Sequence, residues 1–204
     1  MRKNLLLLAA IFLSAVTHAQ SIAVDEVNEV TGARYISCDT YKIKPSGKSL
    51  PINIALKAFI KDGSFQWGVS FFYIAGFPIA CKEGDLIAIR LMNDEVIELE
   101  IENNARDNVG KTSYNSFLKK YETDYHILIS STVPASDFEK IIQNGWKKLR
   151  IVVEKNKIPN QVSDYEFTEK KSMELWQELN SQKAAIEERA KTSPKSTENQ
   201  LSDF

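Results

Sequence analysis

Beyond residue 19 this sequence offers little reactive chemistry: one histidine, two cysteines and a short run of alternating glutamates. His126 alone cannot supply the repeated ligands of a typical zinc site. To activate a nucleophile it needs Cys38 or Cys81 free and within hydrogen-bond reach. The simpler reading makes His126 a residue of a strand over 125–132, sharing its more polar face with Leu128 and Ser130. The cysteines compete with any Cys-His role, because an even pair in an exported chain invites a Cys38–Cys81 disulfide. With 42 residues between them, closure is worth roughly 4 kcal/mol in the chain-entropy picture. The alternative is two buried free thiols behaving as small hydrophobes. Glu98, Glu100 and Glu102 alternate along one segment, the pattern of a solvated strand face rather than of a paired-carboxylate site.

Two segments match the letters of catalytic motifs. Ala105-Arg106-Asp107-Asn108-Val109-Gly110-Lys111-Thr112 resembles a phosphate-binding loop, in which backbone amides and a lysine surround phosphates and a hydroxyl, here that of Thr112, reaches Mg²⁺. Ala105 stands where the first glycine belongs, the preceding strand belongs to a hairpin, and Ser130-Ser131-Thr132 supplies no metal-binding aspartate. The motif leads into an expected helix over 113–121, and a polar surface loop is the competing reading. Ser116-Phe117-Leu118-Lys119 fits the Ser-x-x-Lys pattern of penicillin-recognising enzymes, and Ser113-Tyr114-Asn115 is similar to their second element. Those enzymes bring such elements together from distant parts of a larger fold, whereas here they adjoin, as in a chance match.

The first nineteen residues read as a signal peptide. Arg2 and Lys3 precede an apolar run from Leu5 to Leu13 extended by Ala15 and Val16, and Thr17-His18-Ala19 ends in a small residue, so cleavage after Ala19 is expected. The run is shorter than the roughly 20 apolar residues of a membrane span, and Gln20 offers no thiol for a lipid anchor. The expected product is soluble, periplasmic or secreted, without a transmembrane segment after cleavage. With 26 Lys plus Arg against 27 Asp plus Glu, loss of Arg2 and Lys3 leaves a small acidic excess, which argues against nucleic-acid phosphates as partners.

The frame is strand-rich. β-branched and aromatic residues recur over 33–43 and from Leu50 onward. A two-residue Asp62-Gly63 turn sets Ile60 against Phe65, Ala58 against Trp67, Leu56 against Val69, Ile54 against Phe71 and Ile52 against Tyr73, all on one face. In a second hairpin a three-residue loop, Asn93-Asp94-Glu95, pairs Leu91 with Ile97, Ile89 with Leu99, Ile87 with Ile101 and Arg90 with Glu98. A helix over 136–144 has a capping box in Ser136 and Glu139, a stripe of Phe138, Ile141 and Ile142, and Gly145 as a left-handed cap. A strand over 149–154 follows. From 168 to 190 Met173, Trp176, Leu179 and Ile186 mark one side of a charged helix, and 191–204 is too poor in apolar groups to order itself. Trp67, Phe71, Phe72, Tyr73 and Phe77 could line a sugar or lipid pocket, with core packing the default and the exposure of Phe72 the deciding observation.

Gly84-Asp85 with Leu86-Ile87-Ala88-Ile89, the turn Asn93-Asp94, Ile97-Glu98-Leu99, Pro134 to Ile142 and Lys148-Leu149-Arg150-Ile151 resemble a group of small exported bacterial β-rich proteins with no assigned activity. The likeness covers roughly 52–154, and it implies a fold and an envelope location but no site residue. The expected architecture is mainly β (α+β): an antiparallel β-sandwich or open barrel over 20–167, one short packed helix and a C-terminal helix. No catalytic, cofactor or metal residue is assigned and no cofactor is expected. The expected role is non-catalytic binding or adaptation in the bacterial envelope, with an unidentified protein or small-ligand partner. The alternatives are a hydrolase recruiting Glu98, Glu100 and Asp124, and a lipid or small-ligand carrier.

Overall fold

A computed structural model describes residues 21–43, 52–75, 78–103, 105–106, 108–117, 119–155 and 157–194. The expected signal peptide, residues 195–204 of the tail and Phe77 lie outside them. The strands are β1 (Ile22–Val27), β2 (Arg34–Cys38), β3 (Tyr41–Ile43), β4 (Ile52–Lys61), β5 (Ser64–Ala75), β6 (Ile79–Cys81), β7 (Leu86–Leu91), β8 (Val96–Glu100), β9 (Ala105–Arg106), β10 (Asn108–Asn115), β11 (Lys120–Thr132), β12 (Trp146–Lys155) and β13 (Ile158–Glu166). Two helices join them, α1 (Ala135–Gln143) and α2 (Glu169–Ala190). The larger sheet runs β1-β2-β4-β5-β11-β10, with β3 beside β4, and the smaller runs β8-β7-β12-β6-β9, with β13 beside β12. Every described pairing is antiparallel. The sheets meet face to face through Phe71 on Trp146 (ring centroids 6.4 Å apart) and Tyr73 on Tyr165 (6.1 Å), and no closed barrel forms among the described residues.

The first hairpin has the expected register, from Ile60 opposite Phe65 to Ile52 opposite Tyr73. Asp62 and Gly63 both take positive φ, 51° and 76°, the requirement of a tight primed turn. The second hairpin departs from expectation by two residues: Ile89 faces Ile97, Ile87 faces Leu99, and Glu98 faces Ala88 rather than Arg90. Its loop is three residues long, but these are Met92-Asn93-Asp94, closed by the Leu91 amide donating to the Glu95 carbonyl at 2.8 Å. Such loops end on a left-handed residue, and aspartate tolerates that geometry better than glutamate. Asp94 takes it at φ 67°. The apolar face survives the shift because a two-residue slip preserves side-chain parity.

Helix α1 buries Phe138, Ile141 and Ile142 as its spacing demands. Its ends differ from expectation. Pro134 occupies the N-cap with no side-chain cap bond, so the Ser136–Glu139 capping box does not form, and the C-cap is Asn144 in extended geometry. Gly145 is absent from the positive-φ positions; its role is steric.

The Cys38–Cys81 disulfide does not form: both cysteines are free and buried. Cys38 ends β2 in the larger sheet, and its thiol donates to the Gln182 carbonyl of α2 at 3.5 Å. Cys81 ends β6 in the smaller sheet and donates to the Val152 carbonyl at 3.7 Å. The two residues are claimed by different sheets, and burial pushes each thiol up to about 12. A thiol reagent at neutral pH should therefore find no reactive cysteine in the native protein and two after unfolding in denaturant; none after unfolding would restore the disulfide.

Gln182 resolves a local defect in the larger sheet. Strand β2 pairs with β4 as far as Ser37 opposite Lys57, and β3 resumes at Tyr41 opposite Ile54. In the gap the Leu56 amide donates to Gln182 Oε1 at 2.7 Å, while Gln182 Nε2 donates to Glu178. Gln182 is fully buried. Gln182→Leu keeps the volume but strands a buried N–H, for an expected loss of about 1–3 kcal/mol in urea unfolding.

Candidate binding groove

Helix α2 starts at Thr168, whose hydroxyl accepts from the Lys171 amide, and buries Ser172, Leu175, Leu179, Gln182 and Ile186. This differs from the expected stripe. At about 100° per residue, Trp176 sits roughly 60° and Met173 roughly 120° from the line through Leu179. Both are open to solvent, Trp176 at 38% and Met173 at 60%. The helix thus has two apolar faces, one in the core and one outside it.

The outer face borders a groove of about 330 Å³ lined by Met92, Gln143, Gly145, Glu169, Ser172, Met173, Trp176 and Gln177. Three elements hold it. The Met92 amide donates to the Gly145 carbonyl at 2.8 Å, tying the β7–β8 loop to the start of β12. Asn180 Nδ2 donates to the Ile142 carbonyl at 3.1 Å and to the Trp176 carbonyl at 2.8 Å, pinning α2 against the end of α1. Gly145 lets α2 come close, since a Cβ there would lie 2.3 Å from Ser172 Oγ and 3.2 Å from Met92 Cγ. Gly145→Ala should cost about 1–3 kcal/mol. Ser172→Ala removes the offending hydroxyl, so the double variant should recover most of that loss in urea unfolding; strict additivity would contradict this contact.

The groove's walls are two methionines and a tryptophan, with glutamines and a serine to accept or donate hydrogen bonds. Its volume lies at the small end of ligand sites. Methionine side chains adapt to varied apolar shapes, and a half-exposed tryptophan is the residue type most enriched among binding hot spots.

No protein-family model, no curated protein and no solved structure matches the chain.

The residues singled out in the sequence lie elsewhere. Residues 105–112 span β9 in the smaller sheet and β10 in the larger one, and the described residues of 113–121 form the end of β10, a turn and the start of β11, with Asp107 and Leu118 outside the described residues. The strand-loop-helix context of a phosphate loop is missing, as is the expected helix. Ser116 and Lys119 lie in the turn between β10 and β11, so no helix aligns them. His126 faces Ile74 of β5 and Asn108 of β10, with its ring edge-on to Phe72 at 5.5 Å. It shares the outer face of the larger sheet with Leu128 and Ser130, whereas Cys38 and Cys81 are engaged in the core. Phe72 is half-buried on the same outer face.

Glu98 and Glu100 are exposed on β8, and the side chain of Asp124 lies outside the described residues. Glu100 does line an open polar groove of about 680 Å³ with Lys82, Glu83, Gly84, Ile101 and Glu102, where the chain leaves the smaller sheet. Glu102 stands 3.9 Å from the ammonium of Lys57, a buried lysine of β4 whose pKa is lowered by desolvation against the opposing pull of Glu102. Gly68 makes room for Lys57: a Cβ there would lie 2.5 Å from Lys57 Cε. Sequence reasoning missed the Met92–Trp176 groove because it counted Met173 and Trp176 among the buried residues. The available signal was the poor phase match of these two with Leu179 and Ile186.

Proposed function

We propose that the protein is an exported, non-catalytic binding protein of the cell envelope, and that the Met92–Met173–Trp176 groove receives a short amphipathic segment of another protein. The observation that carries this reading is the second apolar face of α2, exposed beside a glycine-floored groove while the core face of the same helix is fully occupied. The apolar walls fit the side chains of such a segment, and Gln143, Gln177 and Glu169 on the rim can meet its backbone amides. Export is supported by the character of residues 1–19.

The test is selection from a phage-displayed peptide library on the purified mature chain, followed by titration of the selected peptides. Peptides sharing spaced apolar residues are expected, with affinity falling at least about tenfold in Trp176→Ala. An empty selection, or peptides indifferent to Trp176→Ala and Met173→Ser, would remove the reading.

A second reading, an envelope hydrolase, draws on Glu83, Glu100 and Glu102 lining one groove beside Lys57. It requires release of reducing ends from envelope polysaccharide by the wild type and loss of that activity in Glu100→Gln. A polysaccharide left intact by wild-type protein eliminates it.

A further inference from the structure

Strand β10 pairs only with β11 among the described residues, and it forms one edge of the larger sheet. Strand β11 pairs with β5 from Tyr125 to Thr132, whereas Lys120 to Thr123 pair with β10 alone. The β10–β11 ribbon therefore overhangs the sandwich. A two-stranded ribbon without a third layer is marginal on its own, yet this one carries three large exposed aromatics: Tyr114 at 55%, Tyr121 at 75% and Phe117 at 92%. Tyr114 and Tyr121 face each other across the strands, rings edge to face at 5.2 Å. Phe117 lies in the turn at the tip.

Charge along the ribbon is graded. Lys119 and Lys120 follow Phe117 directly, in the turn and at the start of β11, and the acidic residues Glu122 and Asp124 come only further back toward the sandwich. Phe117 at the tip, two tyrosines behind it and the exposed Lys119 in the same turn match the layers of a bilayer surface. Phenylalanine suits the acyl boundary, tyrosine suits the headgroup level, and lysine suits anionic phosphates. A soluble protein partner would not call for that ordering along the ribbon.

We infer that the β10–β11 ribbon is a membrane-docking arm that places Phe117 in the surface layer of anionic lipid bilayers. The arm spans nothing; it is a reversible surface contact, separate from the groove on α2. One aromatic tip with two lysines gives weak binding, of the order seen for a single shallow anchor.

The experiment uses the mature chain with vesicles of phosphatidylcholine alone and of phosphatidylcholine mixed with phosphatidylglycerol. Wild-type protein should co-sediment with the mixed vesicles, less so as salt is raised, and poorly with phosphatidylcholine alone. Phe117→Ser should lower the partition coefficient about tenfold, the scale set by exposing one large apolar side chain, and Lys119→Glu should lower it further on the mixed vesicles only. Phe117→Trp should show a blue-shifted emission component quenched by brominated lipid chains. No co-sedimentation, equal binding to both vesicle types, binding unaffected by Phe117→Ser, or no quenching of Phe117→Trp would each overturn the inference. All these substitutions lie on an exposed turn, and matching urea unfolding curves confirm that the fold is intact.

Discussion

Replacing Arg34 with alanine is expected to destabilise the protein by about 3 kcal/mol. Arg34 is buried in β2 and grips Asp25 of β1 through Nε at 2.6 Å and Nη2 at 2.8 Å. The same guanidinium donates to the carbonyls of Arg189, Ala190 and Thr192 at the end of α2, where a cation is favoured and unpaired carbonyls need donors. Arg189 itself returns to Asp25. One side chain thus ties an edge strand to the C-terminus of the long helix. Breaking a buried ion pair by removing one partner costs about 3–5 kcal/mol, and the surviving Arg189 contact holds the loss near the lower bound. Arg34→Lys keeps the charge but not the fork, so it should fall between wild type and alanine. The pH dependence has a definite sign. Arg34 holds the Asp25 carboxyl below its ordinary value, so the cluster contributes fully above about pH 4 and loses that contribution as pH falls through the lowered value. Asp164, held at about 2 chiefly by its hydrogen bond with Arg150, shifts in the same direction. Urea unfolding at neutral pH and at pH about 3 should therefore show Arg34→Ala losing less on acidification than wild type; equal losses would assign the acid sensitivity elsewhere.

Phe138→Ala should cost about 3–5 kcal/mol, the range for a large aromatic removed from a packed core. Phe138 is buried on α1 and stacks on Trp67 with centroids 4.4 Å apart and planes 5° from parallel, and Trp67 stacks in turn on Phe65 at 5.3 Å. Ile141 and Ile142 remain to hold the helix, so the variant should fold but with a lower urea midpoint and an unchanged slope. The consequence reaches the groove. The end of α1 supplies Gln143 to its lining and the Ile142 carbonyl to Asn180, so peptide affinity should weaken in Phe138→Ala although no groove atom is changed. Intact affinity at reduced stability would show that the groove is held without α1.

The parts of the fold legible in the sequence are those set by nearest neighbours. The Asp62-Gly63 turn and strict two-residue alternation left one register for the first hairpin, because a one-residue slip turns the whole apolar face to water. The second hairpin has the expected face but not the expected pairing, because apolar and charge matching cannot tell two registers of the same parity apart, whereas the left-handed position of the loop, which falls to Asp94, does. Of the β10–β11 ribbon only 125–132, the part of β11 that pairs with β5, is legible as a strand; among the described residues β10 pairs only with β11 and residues 120–123 only with β10, outside the rest of the sheet, so no buried face imposes an alternation on them. On α2 the departure from the expected stripe comes from buried polar residues. Ser172 and Gln182 are buried because Gly145 admits the first and the unpaired Leu56 amide requires the second, and neither partner is near in sequence. Two polar members of the core face moved the apparent stripe toward Met173 and Trp176, which hid the groove.

Methionine methyl NMR addresses the groove directly, because Met92 and Met173 are the only methionines apart from Met1 and both line it. In the mature chain labelled at the methionine methyl carbon, titration with a library-selected peptide should move both methyl resonances along one saturable curve, and Trp176→Ala should shift that curve to at least about tenfold higher peptide concentration. Saturating peptide that leaves both methyl resonances in place would show that the protein binds its partners on some other surface.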